Sequence, residues 1–244
     1  MSNEKVGRII LPVLIAFMFM NSCISVQGNS HQYIGKYVKI TGYYSDYDLS
    51  EFLTNIDSKA QTIIERYNPG FNRIISIRLY SSVDSFHNAG YGRKGEDGSV
   101  GNARNGSVYM VNPYCSKVHS YPEMLQIGVH EFTHVIISDA NESMPIWLNE
   151  GIAMLEAQQG ARYGGLKQEA LSGTLPYYDN LAYDYYSANS VYKYSRSLVE
   201  YIIDIYSIEK LRAFIIKPDP KTTLGISNEE FQENWKKYLI AKKI

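Results

Sequence analysis

The sequence lacks several features that would assign a function class directly. Its formal net charge is only −1 over 244 residues, so no charge excess indicates a nucleic acid or an anionic surface as a partner. No internal repeat and no low-complexity linker divides the chain. The 22 tyrosines do not discriminate, because tyrosine suits cores, clefts and contact surfaces alike. What remains is an ordinary globular composition, 45% hydrophobic and 20% charged.

The apolar run near the start of the chain is too short to cross a membrane. Ile9–Met20 has twelve residues, whereas a spanning helix needs ~20. Lys5 and Arg8 precede this run, an arrangement typical of a secretory signal. We therefore expect an exported protein. Its expected parts are a signal peptide at residues 1–22, an N-terminal tether at 23–33 and a single domain at 34–244.

Cysteine is scarce, with only Cys23 and Cys115 in the chain. Cys23 follows the small residue Ser22 at the end of the apolar run, in a segment, MNSC, that resembles the lipobox of bacterial lipoproteins. The resemblance implies cleavage before Cys23, lipidation of this new N-terminal residue and attachment to a membrane. The alternative is ordinary cleavage a few residues later. A lipidated Cys23 would leave Cys115 alone, so no intrachain disulfide is then expected.

The spacing of apolar residues places strands in the first half of the chain and helices in the second. This order indicates an α+β fold. Residues 90–106 contain six glycines and mixed charges, which predicts a mobile loop, either a plain connector or a functional flap. The predicted strands are 37–44, 73–80 and 107–111, and the predicted helices are 49–67, a short one near Asp84, 122–139, 146–158, 190–206, 208–215 and one beginning at Ser227 with a capping box to Glu230.

The segment HEFTH, residues 130–134, has the spacing of a metal site on a helix. Residues four apart lie on one face, so His130 and His134 can bind the same ion. Glu131 points to a neighbouring angle, where its carboxylate would reach a water on the metal rather than the metal itself. The alternative is a buried helix with incidental histidines.

A carboxylate on the next predicted helix favours the metal site. WLNEGIA places Glu150 sixteen residues after His134, so a turn and an antiparallel helix can return it to the histidine pair. Two imidazoles and a carboxylate leave a fourth coordination position open, which separates a catalytic zinc from a structural one. The alternative for Glu150 is a surface carboxylate, but its apolar neighbours, Trp147 and Leu148 among them, make a solvated face less natural.

HEFTH followed by PIWLNEGIAMLE resembles the gluzincin metallopeptidases, specifically the compact peptidase-MA-like proteins. Weaker similarity extends the resemblance to about residues 74–240. It implies that His130, His134 and Glu150 bind Zn²⁺ and that Glu131 is the general base. It also implies a zincin-like fold, in which a small twisted mixed sheet packs on the metal helix before a mostly helical C-terminal part.

The resemblance also implies how a polypeptide substrate would be held. Tyr192 matches the position that could donate to the oxyanion, although Tyr194 competes for this role and either tyrosine could simply pack. The strand before the metal helix, GSVYMVNP at 106–113, is the candidate to pair with an extended substrate.

Departures from the family pattern bear on the reaction. No GxMEN-like segment precedes the metal helix, and the interval between His134 and Glu150 is shorter than in the large aminopeptidase branch. Both weaken an aminopeptidase and favour an endopeptidase. Met154 stands where some gluzincins carry an acid that orients a histidine ligand, so the groups that orient the ligands are unassigned. The alternatives are an inactive zincin-fold binding lipoprotein and a zinc hydrolase of a non-peptide amide.

The remaining histidines carry no metal-ligand spacing. His31, His87 and His119 are interpreted as surface or hydrogen-bonded residues. Cys115 is interpreted as a small apolar residue, because no paired base accompanies it.

Overall fold

The computed structural model describes residues 33–42, 47–160, 163–182 and 188–243. The predicted signal peptide, Cys23, His31 and almost all of the predicted tether lie outside these residues. None of the helices in the described ranges is both long enough and apolar enough to cross a membrane.

Five strands in the described part of the chain form one mixed sheet. They are β1 (Tyr33–Ile34), β2 (Val38–Gly42), β3 (Ile75–Tyr80), β4 (Gly101–Arg104) and β5 (Ser107–Val111). Their order is β1-β2-β3-β5-β4. The central strands β2, β3 and β5 are parallel, and β1 and β4 pair antiparallel at the two edges.

Helices dominate the chain after the sheet, which confirms the predicted α+β class with a helical C-terminal part. A short 3-10 helix spans Tyr178–Leu181. The α-helices of the described residues are α1 (Ser50–Tyr67), α2 (Val83–Asn88), α3 (Tyr121–Ala140), α4 (Ile146–Glu156), α5 (Tyr163–Ser172), α6 (Ala188–Ile205), α7 (Ile208–Ile216), α8 (Pro220–Thr223) and α9 (Asn228–Ala241).

Helix boundaries follow local chemistry that was visible in the sequence. Ser120 and Glu123 form a capping box at the start of α3, in which the Ser120 N–H donates to the Glu123 carboxylate at 2.7 Å. Ser227 and Glu230 form the predicted box at the start of α9. Each box satisfies backbone N–H groups that a helix start otherwise leaves without partners.

The sheet and α1 together position α3. Buried residues alternate along β2 and β3, and α1 and α3 pack on the sheet. A Cβ at Gly128 of α3 would lie 2.6 Å from Cε2 of Phe52 in α1. The glycine therefore permits a close approach that any larger residue would block. This contact fixes α3 against the core two residues before His130.

The predicted loop at 90–106 is partly wrong, because residues 101–104 form β4. This strand joins β5 through Asn105 and Gly106, whose φ angles are 51° and 70°. Positive φ at both central residues is the geometry of a tight hairpin turn. The sequence GNAR has low strand propensity, so pairing with β5 rather than local preference makes the strand. Helix α5 was not predicted either.

Candidate metal centre

Helix α3 carries the first two residues of the candidate metal centre. His130 and His134 lie one turn apart, with 3.6 residues per turn, and their Nε2 atoms are 2.9 Å apart. The two rings meet edge to face at an interplanar angle of 85°. Both side chains are largely buried, so their nitrogens face each other away from bulk water.

Helix α4 brings the third residue to the same point. The Oε2 atom of Glu150 lies 3.3 Å from Nε2 of His130 and 3.6 Å from Nε2 of His134. Glu150 is only 4% exposed, so its carboxylate faces the imidazole pair rather than solvent. The helix is held there by a second close approach, because a Cβ at Gly151 would lie 2.4 Å from the carbonyl oxygen of Ser195 in α6.

The spacing of the three ligand atoms suits a metal ion. Bonds of 2.0 to 2.1 Å in a tetrahedron separate two ligand atoms by about 3.3 to 3.4 Å. The observed separations are 2.9, 3.3 and 3.6 Å. In addition, Oε2 of Glu150 is buried and makes no well-formed hydrogen bond. A buried carboxylate oxygen without a donor is costly unless a cation meets it. The residues therefore fit a metal ion, although this geometry does not identify the metal.

Without a metal ion, the electrostatic interactions of the group favour a positively charged His134 and a negatively charged Glu150. Burial lowers the pKa of His134, but the facing Glu150 carboxylate outweighs burial and raises that pKa to about 9. Burial would raise the pKa of Glu150, but the two histidines hold it well below its ordinary value. A dication can replace the proton that this pairing retains.

Asn149 orients one of the imidazoles. Its Oδ1 atom accepts from Nδ1 of His134 at 2.5 Å, which leaves Nε2 of His134 to bind the metal. Sequence reasoning left this orienting group unassigned and missed Asn149, although it directly precedes Glu150. Nδ1 of His130 is buried and meets no acceptor among the described residues.

The carboxylate of Glu131 lies beside the metal group and against β4. Burial raises the pKa of Glu131, and the nearby histidines and the backbone N–H of Ala103 only partly counter this effect. A Cβ at Gly101 would lie 2.7 Å from Oε1 and 2.8 Å from Cγ of Glu131. Gly101 is thus a site residue that sequence reasoning missed, because six glycines in one stretch indicated only a loop.

A cleft of about 910 Å³ runs over this group, and Tyr192 lies on its wall, 41% exposed. Tyr194 is 7% exposed, and its hydroxyl donates to Glu169 at 2.7 Å, away from the cleft lining. Of the two tyrosines left open by the sequence, the structure brings only Tyr192 to the cleft.

The prediction that the strand at 106–113 pairs with an extended substrate is wrong. Its core is β5, and both sides of β5 are already paired, with β3 and with β4. The strand next to the cleft is β4, whose residues Gly101 and Ala103 line the cleft.

The residues that were not assigned to a site have ordinary roles. His87 is 6% exposed, and its Nε2 lies 2.9 Å from the carbonyl oxygen of Ser99. Nε2 of His119 lies 3.1 Å from the carbonyl oxygen of Gly98. Burial raises the pKa of Cys115, which does not favour a nucleophilic thiolate.

Comparison of the chain with protein-family models gave no match, and comparison with curated proteins gave none either.

Proposed function

We propose that this protein is a zinc-dependent peptidase that cuts polypeptides internally, exported and attached to a membrane through Cys23. The observation that carries the proposal is the buried group of His130, His134 and Glu150 beside the buried carboxylate of Glu131. Two imidazoles and one carboxylate are a known ligand set of catalytic zinc. A structural zinc takes four protein ligands, whereas the group among the described residues has three.

Zinc, when bound, supplies Lewis acidity that polarises a carbonyl and lowers the pKa of water. Glu131 accepts a proton from the attacking water and passes it to the leaving amine. Burial raises the pKa of Glu131 toward neutral pH, and a group whose pKa is nearer the working pH can both accept and release a proton. The hydroxyl of Tyr192, on the cleft wall, donates to the oxyanion that forms at the cleaved carbonyl.

The free edge of β4 would hold the substrate backbone. The Val111 N–H donates to the Val100 carbonyl, so residues 102 and 104 also direct their backbone groups toward β5. Gly101 and Ala103 then direct theirs toward the cleft, where the Ala103 N–H already meets the Glu131 carboxylate and the other groups face open space for a substrate. No other strand of the described chain pairs with that side of β4. An extended peptide can add there through main-chain hydrogen bonds.

The shape of the cleft supports internal cutting. Its lining extends from Glu123 in the first turn of α3, past the metal group, to Glu142 beyond the end of the helix. A chain can therefore continue on both sides of the bond that is cut. An exopeptidase would instead need a group that captures a free terminus near the metal.

Two measurements on the purified full chain test the proposal. Metal analysis should give about one zinc per chain. The Glu131→Gln variant should keep that zinc but lose hydrolysis of a broad peptide library, whereas Glu230→Gln serves as a control that makes the same change at the start of α9, outside the cleft. Unchanged activity in Glu131→Gln would remove the assigned base.

Other outcomes favour the rival functions. Bound zinc without cleavage of any peptide would indicate either a binding protein or a hydrolase of another amide. Hydrolysis of small acyl-amide substrates by the wild-type chain separates these two. For the anchor, the mass of protein purified from a bacterial host should lose a lipid adduct in Cys23→Ala.

A further inference from the structure

The cleft is acidic beyond what the metal group needs. In the described part of the chain, its only charged lining residues besides histidine are five carboxylates and one guanidinium. Nη1 of Arg93 lies 3.6 Å from Oε1 of Glu96, so these two charges offset each other. A bound dication would offset the negative charges of Glu131 and Glu150. Two negative charges remain on the cleft, those of Glu123 and Glu142.

These two carboxylates lie at opposite ends of the cleft. Glu123 is in the first turn of α3 and Glu142 follows the end of that helix, and both are exposed. Hydrogen bonds from the backbone N–H and the hydroxyl of Ser120 lower the pKa of Glu123, so it stays charged at neutral pH. No ion pair or hydrogen bond of the Glu142 carboxylate is found among the described residues. A ligand can therefore meet the Glu142 carboxylate and Oε1 of Glu123, the oxygen to which Ser120 does not donate.

Their distances from the metal group set where they would act on a bound chain. At ~1.5 Å per residue, Glu123 lies about 13 Å along α3 from the midpoint of His130 and His134. The helix continues about 12 Å beyond that midpoint to its end at Ala140, just before Glu142. An extended chain advances ~3.4 Å per residue, so each carboxylate is about four residues from the bond that is cut.

We propose that the cleft selects polypeptides that carry lysine or arginine three to five residues from the cleaved bond, on both sides of it. The selection rests on the proposed function, because the cleaved bond defines the positions. Glu142 meets a cation on one side and Glu123 meets a cation on the other. Neither residue takes part in the chemical step, so the preference should appear in KM more than in kcat.

Matched peptides test this directly. A neutral peptide that the protein cleaves is compared with versions that carry lysine or glutamine four residues before or four residues after the bond. Lysine should raise kcat/KM about two- to fivefold at each position at low salt, the range for exposed ion pairs. The ratio of kcat/KM for the lysine peptide to that for the glutamine peptide should fall toward one as the salt concentration rises to about 1 M, because salt screens exposed charges.

Substitutions that remove one carboxylate charge at a time show which carboxylate acts on which side of the cleaved bond. Glu142→Gln should abolish the lysine preference on one side of the bond, and Glu123→Gln should abolish it on the other. Glutamine still serves in a capping box, so Glu123→Gln keeps the start of α3. Glu230→Gln is the matched control, since Glu230 holds the same capping position in α9, remote from the cleft. The lysine preference of this variant should equal that of the wild type.

The result can fail in ways that distinguish the two proposals. Equal cleavage of lysine and glutamine peptides, or a preference that both cleft variants retain, overturns the charge selection and leaves the peptidase standing. If no peptide is cleaved, fluorescence anisotropy of the same labelled peptides still measures selection by affinity. Tighter binding of the lysine peptides that weakens in Glu142→Gln supports the acidic cleft while the peptidase fails; equal binding overturns both.

Discussion

The substitution Gly101→Ala tests whether β4 positions the proposed base. The φ of Gly101 lies outside the left-handed region, so the backbone accepts alanine. However, the new Cβ would lie 2.7 Å from Oε1 of Glu131, 2.8 Å from its Cγ and 3.0 Å from Cγ2 of Ile127. Contacts this short force a displacement. The end of the Glu131 side chain is the part that can move, because Cγ2 of Ile127 belongs to a packed side chain.

The displacement should cost more activity than stability. A shift of about 1 Å in a catalytic group can lower the rate about 100-fold, whereas overpacking at one site costs about 1 to 3 kcal/mol. We expect kcat for peptide hydrolysis to fall between ten- and a hundredfold, with zinc content unchanged. Thermal unfolding should show at most a modest fall in stability. Steady-state kinetics with an internally quenched peptide and metal analysis measure both quantities.

Two comparisons isolate the cause. Gly98→Ala makes the same change in the same segment, but its Cβ would meet only Nε2 of His119 at an ordinary 3.7 Å, so activity should stay within twofold. In a Glu131→Ala background, Gly101→Ala should have no further effect on residual hydrolysis. Wild-type kcat in Gly101→Ala, or a loss of zinc in place of a loss of rate, would refute the reasoning.

The remaining predictions concern the metal ligands. Asn149→Ala removes the acceptor of Nδ1–H of His134 and should weaken zinc binding about 10- to 100-fold in a chelator competition, while Asn149→Asp, which keeps an acceptor oxygen, should recover most of the affinity. Because Glu150 raises the pKa of His134 to about 9 in the metal-free protein, a proton competes with zinc below that pH. Zinc affinity should therefore rise about tenfold per pH unit between pH 7 and 8.5 and level off near 9, with about one proton released per zinc at pH 7 in matched-buffer calorimetry. A pH-independent affinity over this range would contradict the pairing of His134 with Glu150.

The parts of the fold that the sequence predicted well are those in which local pattern and tertiary packing agree. Helix α1 was expected at 49–67 and is found at Ser50–Tyr67, because its apolar residues recur at helical spacing and all face the core. The capping box at Ser227 was likewise predicted, since the Ser and Glu spacing acts within one turn. The proximity of Glu150 to the histidines was also expected, because the interval of sixteen residues allows a turn and an antiparallel helix to return it to them.

The parts that failed depend on pairing and packing partners that the local pattern of apolar residues does not reveal. Residues 101–104 have no strand pattern, and they become β4 only because β5 is present to pair with them. The choice between Tyr192 and Tyr194 could not be made from their spacing, since it depends on Glu169, a residue of another helix that binds the Tyr194 hydroxyl. Helix α5, which carries that glutamate, has only weak periodicity, with two buried residues, Leu166 and Ala170.

The segment around Glu150 shows why a metal motif is more than its ligands. Asn149 holds His134, Glu150 faces both imidazoles, and Gly151 lets α4 approach the backbone of α6. A side chain at Gly151 would overlap the carbonyl of Ser195, which belongs to a helix backbone and cannot move aside as a flexible side chain can. The helix would then have to shift as a body and would carry Glu150 with it. Three consecutive residues therefore have three different physical tasks, and the ligand geometry depends on the glycine as much as on the carboxylate.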